Sequence, residues 1–223
     1  HMRHFGHLAP EMREHLFYRE PRRFTADAPA PVLSIALGAT LYSPATRPEL
    51  ADDIIKQARH GVISMVLCLE DAIGDADVHD AEENLVRHLT ALFRRRRPAA
   101  AGSGAQGAGE ALETDLPLLF IRVRAPGQIP DLVGRLGPAV RLLSGFVLPK
   151  FTEERGVPFL EALTAAEAAS RRRLFAMPVL ESPELLHLET RSEALAGISR
   201  TVTSTVTVCS PCGSASPTSV RST

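Results

Sequence analysis

Short apolar runs that end in a charged residue recur along this chain at nearly constant intervals, and that rhythm restricts the fold more than any other feature. Residues 62–69 form the clearest run, almost unbroken in apolar character and followed at once by Glu70 and Asp71. This is the pattern of a strand buried on both faces of a parallel sheet. Comparable runs occupy residues 40–43, 118–123, 145–148 and 174–180. Between them lie stretches of helical period at 48–59, 78–93, 129–143, 158–171 and 183–198, the second with Leu85, Leu89 and Leu92 on one face. Strands alternating with helices of this length are βα units.

The spacing chooses among α/β architectures. Pro44 to Asp71 spans 27 positions, Arg122 to Lys150 spans 28 and Lys150 to Glu181 spans 31, whereas Asp71 to Arg122 spans 51. The excess lies at 94–113, four arginines and a proline followed by Ala, Gly, Ser and Gln. Such a stretch buries too little apolar surface to offset its ordering entropy, so it reads as a flexible surface insertion. A (β/α)8 barrel of about 250 residues spends about 31 per unit. The expected fold is therefore α/β, a TIM (β/α)8-type barrel truncated after about five βα units. A doubly wound sheet would carry a glycine-rich loop after its first strand, and Ser43-Pro44-Ala45-Thr46 stands there instead.

Composition narrows the function. With 25 Lys+Arg against 26 Asp+Glu the formal charge is −1, so no overall field draws nucleic acid or an anionic membrane. No apolar run approaches the roughly 20 residues of a membrane span, and no secretory leader is evident, so a cytoplasmic location is expected. Residues 1–32, polar, basic and dotted with proline, read as an N-terminal extension to a domain at 33–200, and His1 ahead of Met2 reads as a cloning remnant. Residues 201–223 change to Ser, Thr, Val, Pro and Cys, with Arg221 the sole charge. Cys209 and Cys212 have no second pair to complete a zinc site. The run Arg94 to Arg97 reads as a solvated helix end, and His4, His7 and His15 as surface residues.

Chemistry in a parallel α/β fold gathers at the carboxyl ends of the strands. Glu70 and Asp71 follow the second run, Arg122 and Arg124 lie on and after the third, Lys150 follows the fourth and Glu181 the fifth. Singly each has a structural explanation: Asp71 and Glu181 precede helices and suit a cap, and Arg122 alternates with Ile121 and Val123. Together they form a set in which acids bind a hard cation such as Mg²⁺ and the guanidinium and ammonium hold the oxygens of an anionic substrate.

These residues also carry a resemblance. Leu69-Glu70-Asp71-Ala72-Ile73, Ile121-Arg122-Val123-Arg124-Ala125-Pro126, Leu148-Pro149-Lys150 and Met177-Pro178-Val179-Leu180-Glu181-Ser182 resemble successive motifs of the HpcH/HpaI aldolase and citrate lyase β-subunit family. More narrowly, the chain is similar to the TIM-barrel carbon–carbon bond lyases of actinobacterial tellurium-resistance clusters. The resemblance implies a Mg²⁺-dependent lyase or aldolase acting on a small oxo-acid or an acyl thioester, coenzyme A thioesters included. It implies Glu181 as a metal ligand and Arg122 as the residue that steadies the developing enolate. Glu70 and Asp71 become the acidic pair around that arginine, and Lys150 a residue that shapes the site. Arg124, where the family has a different residue, implies added anion affinity.

The resemblance stops after residue 200, and the second metal ligand, an aspartate after a sixth strand, has no counterpart. Codons permitted for residues 208–219, read out of register, spell Val-Leu-Ala-Leu-Arg-Leu-Gly-Val-Thr-Asp-Phe, a strand ending in an acid. The tail is thus expected to reflect a shifted reading frame. A barrel with open edges is prone to association, so a homo-oligomer is expected. The competing expectation is a non-catalytic barrel remnant that binds a metabolite or a protein partner.

Overall fold

A computed structural model describes residues 1–71, 73–96 and 115–208. Five strands, β1 (Thr40–Pro44), β2 (Ser64–Cys68), β3 (Leu118–Arg122), β4 (Leu143–Leu148) and β5 (Phe175–Pro178), form one sheet. They lie in chain order and every neighbouring pair is parallel. Each strand therefore sits beside its predecessor, as in consecutive units of a (β/α)8 barrel. A doubly wound sheet would reverse its strand order at a switch point, and this sheet does not.

The helices follow the sequence periodicity, with instructive differences at their ends. Helix α3 (Leu50–Arg59) begins two residues after Pro48, carries Asp52 and Asp53 in its first turn and Lys56 and Arg59 in its last, and buries Leu50, Ala51, Ile54 and Ile55. The charges match the helix dipole at both ends. Helix α4 (Val78–Arg96) buries Ala81, Leu85, Leu89 and Leu92 on one stripe and extends past the expected end at residue 93. The segment expected to be helical at 129–143 divides into α5 (Gln128–Leu136) and a 3₁₀ stretch (Gly137–Leu142), because Gly137 at φ +51° ends the α-helix. Helix α6 (Glu153–Ser170) starts five residues before Pro158, where the Thr152 hydroxyl accepts the Arg155 amide at 3.1 Å and caps it. The expected helix at 183–198 is broken at the extended His187 into α7 (Pro183–Leu186) and α8 (Leu188–Val208). Helix α8 runs without interruption through residue 200. The rest of the tail, with Cys209 and Cys212, and most of the expected insertion lie outside the described residues.

Alternation along the strands feeds two cores. Leu67, Leu119, Ile121, Phe146 and Leu148 face the helices and join the large cluster with Leu85, Leu89, Leu132 and Leu163. Val66, Leu118, Phe120 and Val147 point to the other face and meet Met2, Leu33 and Ile63. The partners that close this inner face come from the N-terminal region, which the composition does not reveal as structured. It contains α1 (Pro10–Leu16), a Met2–Phe24 antiparallel bridge and α2 (Ala30–Ala36). The Ser64 hydroxyl donates to the Leu37 carbonyl at 2.8 Å, which fixes the end of α2 at the N-terminal ends of β1 and β2.

Two N-terminal histidines take part in this docking. His4 lies over Gly38 and its Nε2 is 2.9 Å from the Ala36 carbonyl oxygen, so it is half-buried and tied down. His7 is exposed, as expected, but one edge of its ring rests on Gly61, where a Cβ would stand 2.0 Å from Nδ1.

On β1, Tyr42 is in register with the inward-facing Val66 yet 48% exposed. β1 and β5 each pair along one edge only among the described residues. No helix among the described residues is long and apolar enough to cross a membrane.

Because Leu89 is fully buried between α4 and the sheet, Leu89→Ala is expected to lower stability by about 2–5 kcal/mol in chemical denaturation. Leu186→Ala, at a position 74% exposed, should change it by less than about 0.5 kcal/mol.

Candidate active site

Arg122 is the last residue of β3, and its register partners are Cys68 on β2 and Val147 on β4. Val147 belongs to the inner core, so the same pleat turns Arg122 inward at the carboxyl-terminal rim of the sheet. Glu70 and Asp71 leave β2 at that rim, Lys150 leaves β4 and Glu181 follows β5. The topology thus brings together five side chains from four separate βα turns.

Their contacts centre on one nitrogen. Arg122 Nη2 lies 2.6 Å from Glu70 Oε2, 2.8 Å from Asp71 Oδ2 and 3.3 Å from Glu181 Oε1. Lys150 Nζ lies 3.3 Å from Glu70 Oε1, and the Lys150 amide donates to Glu181 Oε1 at 3.0 Å. Lys150 adopts φ +49°, the left-handed region, in the turn from which that amide reaches Glu181. Arg122 and Glu70 are buried, whereas Asp71, Lys150 and Glu181 open toward solvent. The site is therefore a buried ion pair with a polar, accessible margin.

Burial works against the Arg122 charge, but Glu70, Asp71 and Glu181 outweigh it, and its pKa lies above the ordinary arginine value. The guanidinium stays charged at any working pH. Its Nε is buried and has no hydrogen-bond partner among the described residues. A buried unsatisfied donor costs about 1–3 kcal/mol.

Arg124, read from the sequence as an anion-binding residue, stands at the same rim but with its guanidinium engaged. Its Nε donates to the Leu69 carbonyl at 2.7 Å and its Nη2 to the carbonyls of Glu70, at 3.0 Å, and Ile73, while Nη1 pairs with Asp75. In this arrangement Arg124 ties down the loop that presents Glu70 and Asp71. Gln128, which the sequence reading missed, supports it from the start of α5: Oε1 accepts the Arg124 amide at 2.6 Å, and Nε2 donates to Glu82 on α4 at 2.6 Å. Its position four residues after Arg124, in the first turn of a helix, was the available signal.

The donors at the rim are carboxylate oxygens, the kind a hard cation prefers. Among the described residues, however, no group of three or more His, Cys, Asp or Glu side chains is disposed to hold a metal ion. Glu181 Oε1 is shared by the Lys150 amide and Arg122.

Removing Arg122 leaves the buried Glu70 with Lys150 as its one charged partner among the described residues. Arg122→Ala is expected to cost roughly 3 kcal/mol in denaturant unfolding, the lower end for a broken buried pair because the margin of the site is open. Arg122→Lys, which keeps the charge but loses the planar fork, should cost less.

Comparison with known proteins adds the family. A search of curated proteins finds no match. The family model described as C-C bond lyase of the TIM-barrel fold matches residues 31–208, from α2 through α8, and so contains every strand and all the rim residues. With its strands in chain order and its charged groups at their carboxyl ends, the chain belongs to the C-C bond lyases of the TIM-barrel fold.

Proposed function

We propose that the rim around Arg122 is the anion- and enolate-binding part of a lyase site that acts on a small oxo-acid or an acyl thioester, of the kind handled by the HpcH/HpaI aldolases and citrate lyase β-subunits. The observation that carries this reading is the free, buried Nε of a permanently charged Arg122 at the strand ends. Breaking a carbon–carbon bond next to a carbonyl leaves its electron pair on carbon as an enolate, and the negative charge collects on oxygen. A fixed guanidinium with an unused N–H stabilises that oxygen more than the neutral carbonyl it came from, which is the requirement for catalysis. Glu70 and Asp71 hold the guanidinium in place before substrate arrives, so little reorganisation accompanies binding. Lys150, half exposed and paired to Glu70, is placed to meet a substrate carboxylate at the margin.

Mg²⁺ is the cofactor that the family resemblance implies, with Glu181 as its ligand. When bound, such an ion would polarise a substrate carbonyl as a Lewis acid. With Glu181 as the single matching carboxylate, this chain is expected to bind Mg²⁺ weakly when titrated without substrate.

The test is thermal unfolding with Mg²⁺ and a small oxo-acid such as oxaloacetate. Together they should raise the melting temperature, and Arg122→Lys should reduce the rise although that variant folds. If the pair does not stabilise the parent chain, and only protein partners do, the non-catalytic reading takes its place.

A further inference from the structure

At the opposite end of the sheet from the rim, a cavity of about 560 Å³ opens between the N-terminal segment and the turn that joins α3 to β2. Arg3, Arg13, Arg23 and Arg59 line it, together with His7 and Gly61. Four arginines therefore border one space. The carboxylate that pairs with them is Glu20, 2.5 Å from Arg3 Nη1 and 2.7 Å from Arg13 Nε. Asp115 also lines the cavity. Arg23 and Arg59 are exposed and make no ion pair among the described residues. Against Glu20 and Asp115 the four arginines leave a surplus of two positive charges, in a chain whose formal charge is −1.

Two further observations point to an anion. Arg3 Nε is buried without a hydrogen-bond partner, a donor left open beside the cavity. The hydrogen bond from Arg13 holds the Glu20 carboxyl below its ordinary pKa, and the charges of Arg3 and Arg23 act in the same direction, so the positive field is felt by the group already there. The walls are also set in place. Arg13 is buried and donates to the Leu8 carbonyl, and the His7 ring is seated on the bare backbone of Gly61, whose φ of +84° disfavours any side chain.

We propose that this cavity binds a phosphate-bearing small molecule. Guanidinium forks match phosphate oxygens two at a time, and several of them around one space suit a group with two or more charges and three acceptor oxygens better than a single carboxylate. The volume lies within the range of small-molecule sites, and a concave pocket rather than an extended basic stripe argues for a metabolite over nucleic acid. None of its residues belongs to the Arg122 rim, so the site would add a ligand to the lyase rather than describe its substrate.

Isothermal titration of the full chain with sodium diphosphate tests this. Saturable one-site binding is expected, weakened about tenfold or more in the Arg23→Gln/Arg59→Gln double variant. Neither residue makes an ion pair, so the unliganded melting temperature of that variant should equal the parent's and show that it folds. Citrate at the same concentration should bind much less, and Arg122→Lys should leave diphosphate binding unchanged. Absence of saturable binding, equal binding of citrate, an unaffected double variant, or loss of binding in Arg122→Lys would each overturn the proposal.

Discussion

Burying a guanidinium at the end of a central strand obliges the surrounding loops to answer it. Arg122 sits where β3 leaves the sheet, sealed from water on the inner side, and an isolated charge there would be far too costly to keep. Three carboxylates from two other βα turns converge on its Nη2, and Lys150 balances the most buried of them. The loop after β2 is drawn in by Glu70 and then held by Arg124, whose carbonyl contacts leave it little freedom. The geometry of the rim is in this sense a solution to one electrostatic demand. The donor that remains without a partner among the described residues, Arg122 Nε, is the one that the proposed function assigns to a substrate oxygen.

The same logic of compensation acts at the other end of the sheet with a different force. Val66, Leu118, Phe120 and Val147 form an inward apolar face, and the N-terminal region closes it by inserting Met2 and Leu33. That closure brings a basic segment against the end of α3, so a packing requirement produces a concentration of positive charge. The two ends of the fold therefore differ in kind: the carboxyl rim has three acids around one buried arginine, and the amino end has a cavity bordered by four arginines, two of them paired with Glu20.

Much of the fold was legible because it rests on local pattern. Short apolar runs placed all five strands, and period-3.6 spacing the helices between them, to within a few residues, and the interval of about 28 favoured the barrel that the strand order bears out. The errors share a cause. The early start of α6 depends on the Thr152 hydroxyl, the early end of α5 on Gly137 and the break before α8 on His187, all single-residue events that apolar periodicity does not register. The N-terminal helices escaped because each is only seven residues long, too short to show a period, and their apolar residues acquire meaning only against the inner face of the sheet.

At the site, sequence spacing by itself determined that Glu70, Asp71, Arg122, Arg124, Lys150 and Glu181 would stand on one rim, because in a parallel βα fold every strand presents its carboxyl end to the same side. Tertiary structure alone decided how they divide the work. The pleat turns Arg122 inward, whereas Arg124 reaches back to the carbonyls of the β2 loop. It also decided that the distant residues Arg3, Arg13, Arg23 and Arg59 would share a cavity, since no periodicity links a polar N-terminal segment to the end of a helix. Local pattern fixes where along the chain a side chain leaves its element; which groups it meets depends on the charges and surfaces that folding brings from elsewhere.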